Sequence, residues 1–351
     1  MKNDIAHKET DKIIERLEKE LDREYKQAHE QVAGKMYDYL KRYEAKDETW
    51  RQWVKDGVKT EKQYQEWRTG QIMTGKRWKD MKDRLADDYA NVHKTAEKVI
   101  NGKTAEVYAL NHNYATYTVE KAAKVSTSYT LYSKEAVERM WRDNPTLYKR
   151  AGRKIREQIR EGKLKAWNRK QIQSVMTQGI LQGESIPNLV KRLEKVTGGE
   201  HAAAIRNART MMTGIENAGR MDAYKRANDM GIQTQKTWIA TLDKRTRHWH
   251  RELDGVTLPI DEPFENEMGK IMYPGDPDAD GANVYNCRCT LISSIKGFEI
   301  DTSLRNDKNL GDMSYDDWKK ERKSESNPIT RPEEVAEAMK WSYIAEYRRK
   351  R

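Results

Sequence analysis

Both cysteines of the chain lie one residue apart in "NVYNCRCTLI", residues 283–292, and His250 lies upstream in "TLDKRTRHWHRELDG", residues 241–255. On a strand, Cys287 and Cys289 project to the same face and are close enough to bind one ion. His250 could complete a thiolate and imidazole set of the kind that zinc favours. His248, Asp243 and Asp254 are all possible fourth ligands. The alternative is that the two thiols are buried and act as small hydrophobic groups.

The segment around His250 permits a second kind of chemistry. His250 beside Arg247 and Asp243 could act as general acid or base in phosphodiester cleavage, which predicts a nuclease or another phosphoryl-chemistry enzyme as the alternative function. The same residues could instead form a hydrogen-bonded turn, in which Asp254 and Gly255 are ordinary turn residues. The sequence offers no obvious second base and no nucleophile elbow.

A third set of polar residues shares one face of a predicted helix. Arg209, Glu216 and Arg220 are seven and four residues apart, with Thr213 and Asn217 between them. They could form a buried ion-pair network with the acids and arginines of the 243–247 turn. A solvated helix face is the alternative, and it is the usual reading of a run of charges.

The most basic segment is "LYKRAGRKIREQIREGKLKAWNRK", residues 147–170. At helical spacing one face collects several cations, which could contact phosphates without reading bases, so that binding would fall steeply with salt. An acidic protein partner is the alternative for this face. The candidate DNA-binding residues are Lys149, Arg153, Arg156, Arg160 and Lys163.

Hydrophobic periodicity indicates which elements position these residues. It predicts a long amphipathic helix over 11–43, and another over 60–103 that is broken near Gly70 and Gly75 and ends at Asn101-Gly102. The stretch 104–133 is ambiguous between helix and strand. A short helix over 134–142 and two short helices over 168–200 are predicted to follow. Gly198-Gly199 is the expected hinge, after which a helix over 201–230, a strand at 235–242 and a β-prone run over the cysteines complete the pattern.

Composition limits the class of protein. Hydrophobic residues make up 36% of the chain and charged residues 35%, a balance that suits long solvated helices better than one deep core. The net charge of +11 favours a polyanionic neighbour such as nucleic acid. The charged start shows no secretory signal, no apolar run is long enough to span a membrane, and two cysteines make no disulfide framework, so we expect a soluble protein of a reducing cytosol.

The C-terminal third resembles a known family. "ARTMMTGIENAGRMDAYKRA", "KTWIATLDKRTRHWHRELDG", "PF", "PGDP" and "NCRC" are similar, in this order, to the signature of phage head-morphogenesis proteins of the Mu protein F-like type. The resemblance covers about residues 200–295, and His248 is not part of the pattern. The matching positions are Arg209, Glu216, Arg220, Trp238, Asp243, Thr246, Arg247, His250, Leu253, Asp254, Gly255, Phe264, Pro274, Gly275, Cys287, Arg288 and Cys289.

This resemblance implies a structural, non-enzymatic role. Members of the family are minor head proteins that associate with the portal and with capsid or scaffold proteins in the procapsid interior, and they could contact packaged double-stranded DNA. The expected location is therefore the virion, after assembly in the host cytoplasm. Some relatives carry toxin or ADP-ribosyltransferase domains after this module, but so few polar residues follow Lys296 that we expect no such domain here.

The combined expectation is a mainly α protein, in which long N-terminal helices precede a small α+β C-terminal module with a short β-sheet. The predicted regions are 1–197 for the elongated helical part, 200–296 for the module and 297–351 for a polar tail with short helices. In the module we expect His250, Cys287 and Cys289 at a zinc site. The other motif residues, among them Arg209, Glu216, Arg220, Asp243, Thr246, Arg247, Asp254, Gly255 and Arg288, are expected to be structural.

Overall fold

The computed structural model describes residues 4–71, 76–124, 131–143, 170–172, 174–175, 186–298 and 314–325. It confirms the predicted fold class, because long helices precede a small module with short antiparallel strands. The helices are α1 (Ile5–Lys55), α2 (Glu61–Thr69), α3 (Lys76–Ala123), α4 (Lys134–Asp143), α5 (Ile186–Asp229), α6 (His248–Glu252), α7 (Gly281–Val284) and α8 (Tyr315–Glu325). The strands are β1 (Ile232–Ile239), β2 (Thr257–Pro259), β3 (Phe264–Asn266), β4 (Gly269–Ile271) and β5 (Thr290–Phe298).

Helix α1 extends beyond the predicted range at both ends and runs for 51 residues. It begins after Asp4, whose carboxylate caps the first turn by accepting a hydrogen bond from the backbone N–H of His7 at 2.9 Å. Its apolar stripe, which includes Leu17, Leu21 and Met36, is buried along the length of the helix. None of the helices that the structure describes is both long enough and apolar enough to span a membrane.

The three long helices α1, α3 and α5 pack against one another and form the body of the protein. Helices α3 and α5 approach closely at Gly219, where an added Cβ would lie 2.7 Å from the carbonyl oxygen of Tyr108. A side chain at position 219 would therefore force the two helices apart. An ion pair from Glu18 on α1 to Arg209 on α5 lies beside this packed core.

Two predicted interruptions of the helices are wrong. Asn101 and Gly102 lie inside α3, and Gly198 and Gly199 lie inside α5, so neither pair ends a helix or forms a hinge. Glycine in a helix interior costs about 1 kcal/mol, and burial of the flanking turns offsets that cost. The buried flanking residues are Ala96, Ile100, Ala105 and Val107 on α3, and Leu193 and Ala204 on α5.

The C-terminal module is built on a three-stranded antiparallel sheet in the order β2-β1-β5, beside the β3-β4 hairpin. Strand β1 begins three residues earlier than predicted and ends at Ile239. Trp238 on β1 is fully buried against Phe264 of the hairpin, with ring centroids 5.3 Å apart. The cysteines were expected on a strand, but β5 begins at Thr290, so Cys287 and Cys289 lie in the irregular segment just before it.

Helix α8, part of the predicted polar tail, packs back onto α3. Its Trp318 indole N–H donates to the buried carboxylate of Glu120 at 2.6 Å, and Arg322 donates to the other oxygen at 2.7 Å. The rings of Tyr114 and Tyr117 on α3 surround the same contact. A helix that follows the module in sequence is thereby joined to the helical body.

Candidate metal centre

His250, Cys287 and Cys289 meet in the interior of the module, although 37 residues separate the histidine from the first thiol. Their potential ligand atoms all lie within 4.8 Å of one another, and all three side chains are buried. The His250 Nδ1 atom is 3.6 Å from the Cys287 Sγ and 3.6 Å from the Cys289 Sγ. Tetrahedral zinc, with bonds of about 2.3 Å to sulfur and about 2.0 Å to nitrogen, places these atoms about 3.6 Å apart. The donor set therefore fits zinc in chemistry and in spacing.

The two thiols are not equivalent. The hydrogen bond between them, followed by burial, raises the pKa of Cys287 well above its usual value. The same bond, opposed by burial and reinforced by His250, lowers the pKa of Cys289 well below its usual value. Cys289 is therefore the thiol that the site favours as a thiolate, which is the form that binds metal.

The possible fourth ligands lie elsewhere. His248 and His250 are two residues apart on α6, so they point in different directions, and the exposed His248 pairs with Glu267 at 2.7 Å. Asp254 accepts a hydrogen bond from the backbone N–H of Ala240 at 2.8 Å. The Nη2 of Arg288 donates to the carboxylate of Asp243 at 2.7 Å. Among the residues that the structure describes, the candidate centre thus has three protein ligands.

The groups of the alternative nuclease centre do not converge on one reacting atom. The hydrogen bond from Arg288 holds the pKa of Asp243 far below its usual range. Arg247 donates to the backbone carbonyl of Tyr285, and His250 is 2% exposed and faces the thiols. Each group is already engaged in a contact of the fold.

The turn around Asp243 is closed by its own hydrogen bonds and also contacts residues 287–291, which we call the cysteine segment. Thr246 donates to the carbonyl oxygen of Thr241, and Asp243 accepts from the backbone N–H of Arg245 at 2.8 Å. Gly255 has a φ of +78°, a left-handed conformation that favours glycine, and its N–H donates to the carbonyl oxygen of Trp238 at 2.8 Å. The turn therefore joins β1 to α6 and places the ring of His250 5.2 Å from the ring of Trp238.

Four residues on one face of α5 hold the cysteine segment from the other side; we call Thr213, Glu216, Asn217 and Arg220 the polar row. Thr213 donates to the Cys287 carbonyl at 2.8 Å, and Asn217 donates to the Cys289 carbonyl at 3.3 Å. Asn217 also accepts from the backbone N–H of Leu291 at 2.9 Å, and Arg220 donates to the Leu291 carbonyl at 2.8 Å. These bonds satisfy buried backbone groups of Cys287 and Cys289, which precede β5, and of Leu291, which lies on it.

The polar row is a buried network, as one of the two interpretations predicted, but its partners differ from those expected. Arg220 binds both carboxylate oxygens of Asp4, at 2.7 and 3.0 Å, and donates to Asn111 at 3.0 Å through its Nε. Glu216 accepts from Thr290 at 2.7 Å and pairs with the His7 ring at 2.8 Å. The prediction that these residues contact the 243–247 turn is therefore wrong, because the partners come from α1, α3 and β5.

These contacts set the charges of the network. Arg220 outweighs the effect of burial and lowers the pKa of Asp4. Burial lowers the pKa of His7, but the carboxylate of Glu216 more than compensates and raises it to about 9. Asp4 is thus anionic and His7 cationic at neutral pH. Each buried charge has an opposite charge beside it, as burial requires.

Sequence reasoning missed Asp4, His7 and Asn111 because they lie about one hundred or more residues from the motif. A weak signal was present. His7 and Thr10 continue the buried stripe of α1 by steps of three, so they place polar groups where apolar residues are expected.

The predicted DNA-binding face, with Lys149, Arg153, Arg156, Arg160 and Lys163, lies outside the described residues.

Comparison with known proteins gives matches in sequence. The family described as "Phage Mu protein F like protein" matches residues 170–292. The chain is 28% identical to NAD(+)--arginine ADP-ribosyltransferase EFV of Enterococcus faecalis over 238 residues, which cover 66% of this chain but only 47% of that protein. It is 30% identical to Minor head protein GP7 of Bacillus phage SPP1 over 257 residues, which cover 70% of this chain and 77% of that protein. No solved structure matches the chain.

The chain therefore spans about half the length of the first of these relatives and more than three quarters of the second. The match to the minor head protein, over 257 residues, is much longer than the module. The chain belongs to the Mu protein F-like family of phage minor head proteins.

Proposed function

We propose that this chain is a structural protein of phage head morphogenesis, a component of the virion that works with capsid-assembly proteins and performs no catalysis. Family membership supports the structural role. The observation that carries the non-catalytic part is the engagement of His250, Arg247 and Asp243 in three separate contacts of the fold. A nuclease needs these groups free to meet a phosphate.

In the module, residues 200–296, zinc is proposed to cross-link His250 to Cys287 and Cys289, an arrangement that we call the zinc clasp. The support is the 3.6 Å spacing of the His250 Nδ1 from both thiols and the burial of all three groups. Zinc bound there would stabilise an irregular segment that has few backbone partners of its own. The regions 1–197 and 297–351 are proposed to form the helical part and the tail, although α5 crosses the boundary near residue 200 and α8 packs against α3 of the helical body.

The long helices are proposed to extend from the module and to contact the portal and the inner surface of the capsid or scaffold. Helix α1 alone, with 51 residues, is about 77 Å long at the usual rise per residue. The basic face at 149–163 is proposed to tolerate packaged double-stranded DNA without reading its sequence. We propose that the protein is assembled in the host cytoplasm and ends in the capsid interior.

Incorporation into heads tests the structural role. The phage's capsid, scaffold and portal proteins are co-expressed with this chain, and procapsids are isolated with and without the portal protein. We expect the chain in procapsids that contain the portal and little of it in those that lack the portal. Equal incorporation in both would refute portal association, and absence from all particles would refute the structural role.

Zinc content of the purified protein tests the clasp. We expect one zinc per chain in the wild type, loss of zinc in His250→Ala and retention in His248→Ala, a matched control two residues away that is exposed. If the wild-type protein contains no metal after purification and reconstitution with zinc, the proposal is refuted.

Enzyme assays test the non-catalytic role. We expect neither metal-dependent cleavage of DNA nor transfer of ADP-ribose from NAD⁺ to arginine. DNA cleavage that disappears in His250→Ala would establish the nuclease alternative, and any NAD⁺-dependent modification by the wild type would refute the proposal.

Salt dependence tests the contact with DNA. The slope of log K against log salt is negative, and each phosphate contact contributes about 0.9 to its magnitude. Removing Arg153, Arg156 and Arg160 together is therefore expected to make the slope shallower by about 3. An unchanged slope would exclude this face as the DNA contact.

A further inference from the structure

The polar row lies between the candidate metal centre and the N-terminal turn of α1, residues 4–10. On one side it fixes the backbone that carries the thiols, and on the other it binds the charges of the turn. We propose that Thr213 and Asn217 are positioning residues for the two thiols, and that the polar row couples metal binding to docking of the N-terminal turn. This inference rests on the zinc clasp proposed above.

The first step is the placement of the ligands. Cys287 and Cys289 lie before the start of β5, so regular sheet bonds do not hold them. Their carbonyl oxygens accept instead from Thr213 at 2.8 Å and from Asn217 at 3.3 Å, while Thr241 donates to the carbonyl between them, that of Arg288, at 2.6 Å. Removing one of these donors frees the backbone on which a thiol is mounted. Groups that orient metal ligands in this way affect affinity without touching the metal.

The second step is the contact that Glu216 makes with both the cysteine segment and α1. Thr290, the residue after Cys289, donates its hydroxyl to the Glu216 Oε1 at 2.7 Å. The same oxygen pairs with the His7 ring at 2.8 Å. One carboxylate oxygen therefore contacts both the cysteine segment and the N-terminal turn, so a shift of either partner changes its bond to the other.

The third step is a parallel contact through Arg220. The guanidinium donates to the carbonyl of Leu291 at 2.8 Å and forms a bidentate ion pair with the Asp4 carboxylate. Arg220 is 1% exposed, so these contacts are made away from water. When zinc holds Cys289 and the start of β5 in place, Glu216 and Arg220 are fixed in the geometry that Asp4 and His7 require. By thermodynamic linkage, a docked turn must strengthen metal binding to the same extent.

Zinc affinity tests the positioning role. We would measure the zinc Kd of the full chain by competition with a chromophoric chelator in wild type, Thr213→Val, Thr213→Ser and Thr116→Val. The Thr213→Val change is expected to raise Kd roughly tenfold, whereas Thr213→Ser, which keeps the hydroxyl, should match wild type. Thr116→Val is the control, because that buried threonine donates only to a carbonyl of its own helix, at 2.9 Å. Equal Kd values for Thr213→Val and Thr116→Val would overturn the role of Thr213, and the Asn217→Ala variant, expected to raise Kd similarly, checks the second residue in the same way.

Hydrogen exchange tests the coupling. We expect residues 4–10 to gain protection when zinc is added to chelator-treated protein, and we expect His7→Gln to weaken zinc binding. His29→Gln is the matched control, since His29 also pairs α1 with a glutamate of α5, at 3.4 Å, far from the polar row. A wild type that binds no zinc overturns the clasp and this inference together. Zinc binding with unchanged protection of the turn, or equal effects of the two histidine variants, overturns the coupling alone.

Discussion

Replacing Arg220 with methionine is the sharpest test of how the helical body is held to the module. Methionine keeps the length and much of the apolar stem of the side chain but removes the guanidinium. Arg220 is 1% exposed and donates to Asp4, Asn111 and the Leu291 carbonyl. The change therefore leaves a buried carboxylate without its counter-ion and two acceptors without their donor.

The expected loss is about 4 kcal/mol in the free energy of unfolding, because breaking a buried ion pair by removing one partner costs about 3–5 kcal/mol. Total stabilities are about 5–15 kcal/mol, so the loss is a large fraction of the whole. Urea unfolding followed by far-ultraviolet circular dichroism measures it. The double variant Asp4→Asn with Arg220→Met should recover about 1–3 kcal/mol, since the stranded charge is then absent and asparagine still caps the helix.

Arg209→Met is the control for this measurement. Arg209 is on the same helix and pairs with Glu18, but both side chains are about one fifth exposed, so the expected cost is below about 1 kcal/mol. If Arg220→Met costs no more than Arg209→Met, the buried network does not hold α1 to the module. If the double variant is no more stable than Arg220→Met, the damage does not come from the carboxylate of Asp4.

Two further predictions use the same unfolding assay. Because the pKa of His7 is raised from 6.5 to about 9 beside Glu216, its contribution is fully present below pH 6.5 and is lost as pH rises through 9. That loss, at most about 3 kcal/mol, should be absent in His7→Gln, and equal pH profiles of the two proteins would contradict it. Gly219→Ala should destabilise by about 1–3 kcal/mol, because its Cβ would meet the Tyr108 carbonyl, whereas Gly102→Ala, which has open space, should stabilise by about 0.5–1 kcal/mol. Equal effects of the two alanines would refute the close approach of α3 and α5.

Periodicity predicts the middle of each long helix and fails at the ends. The stripe through Leu17 and Leu21 indicates α1, but Asn101-Gly102 and Gly198-Gly199 look like stops and are not. Local preference at a glycine is worth about 1 kcal/mol, and the burial of neighbouring turns by distant helices outweighs it. A single sequence does not contain the positions of those distant helices.

The candidate site was predictable where its residue types are unusual and unpredictable where its partners are ordinary. Two thiols and an imidazole are few enough to be paired from the sequence, and the structure brings His250, Cys287 and Cys289 together. Asp4 is one of many acids in a highly charged chain, and no local pattern marks it as the partner of Arg220. The family pattern marks Glu216 and Arg220 as structural without telling what they bind.

The pairing of Asp4 with Arg220 also bears on how such genes could be recombined. A chimera that joins the first helix of one relative to the last third of another brings together an acid and a guanidinium that were selected in separate backgrounds. If only one of the two residues is inherited, the hybrid protein buries a charge without a counter-ion where α1 contacts α5. We therefore expect viable exchanges to retain both residues or to replace both.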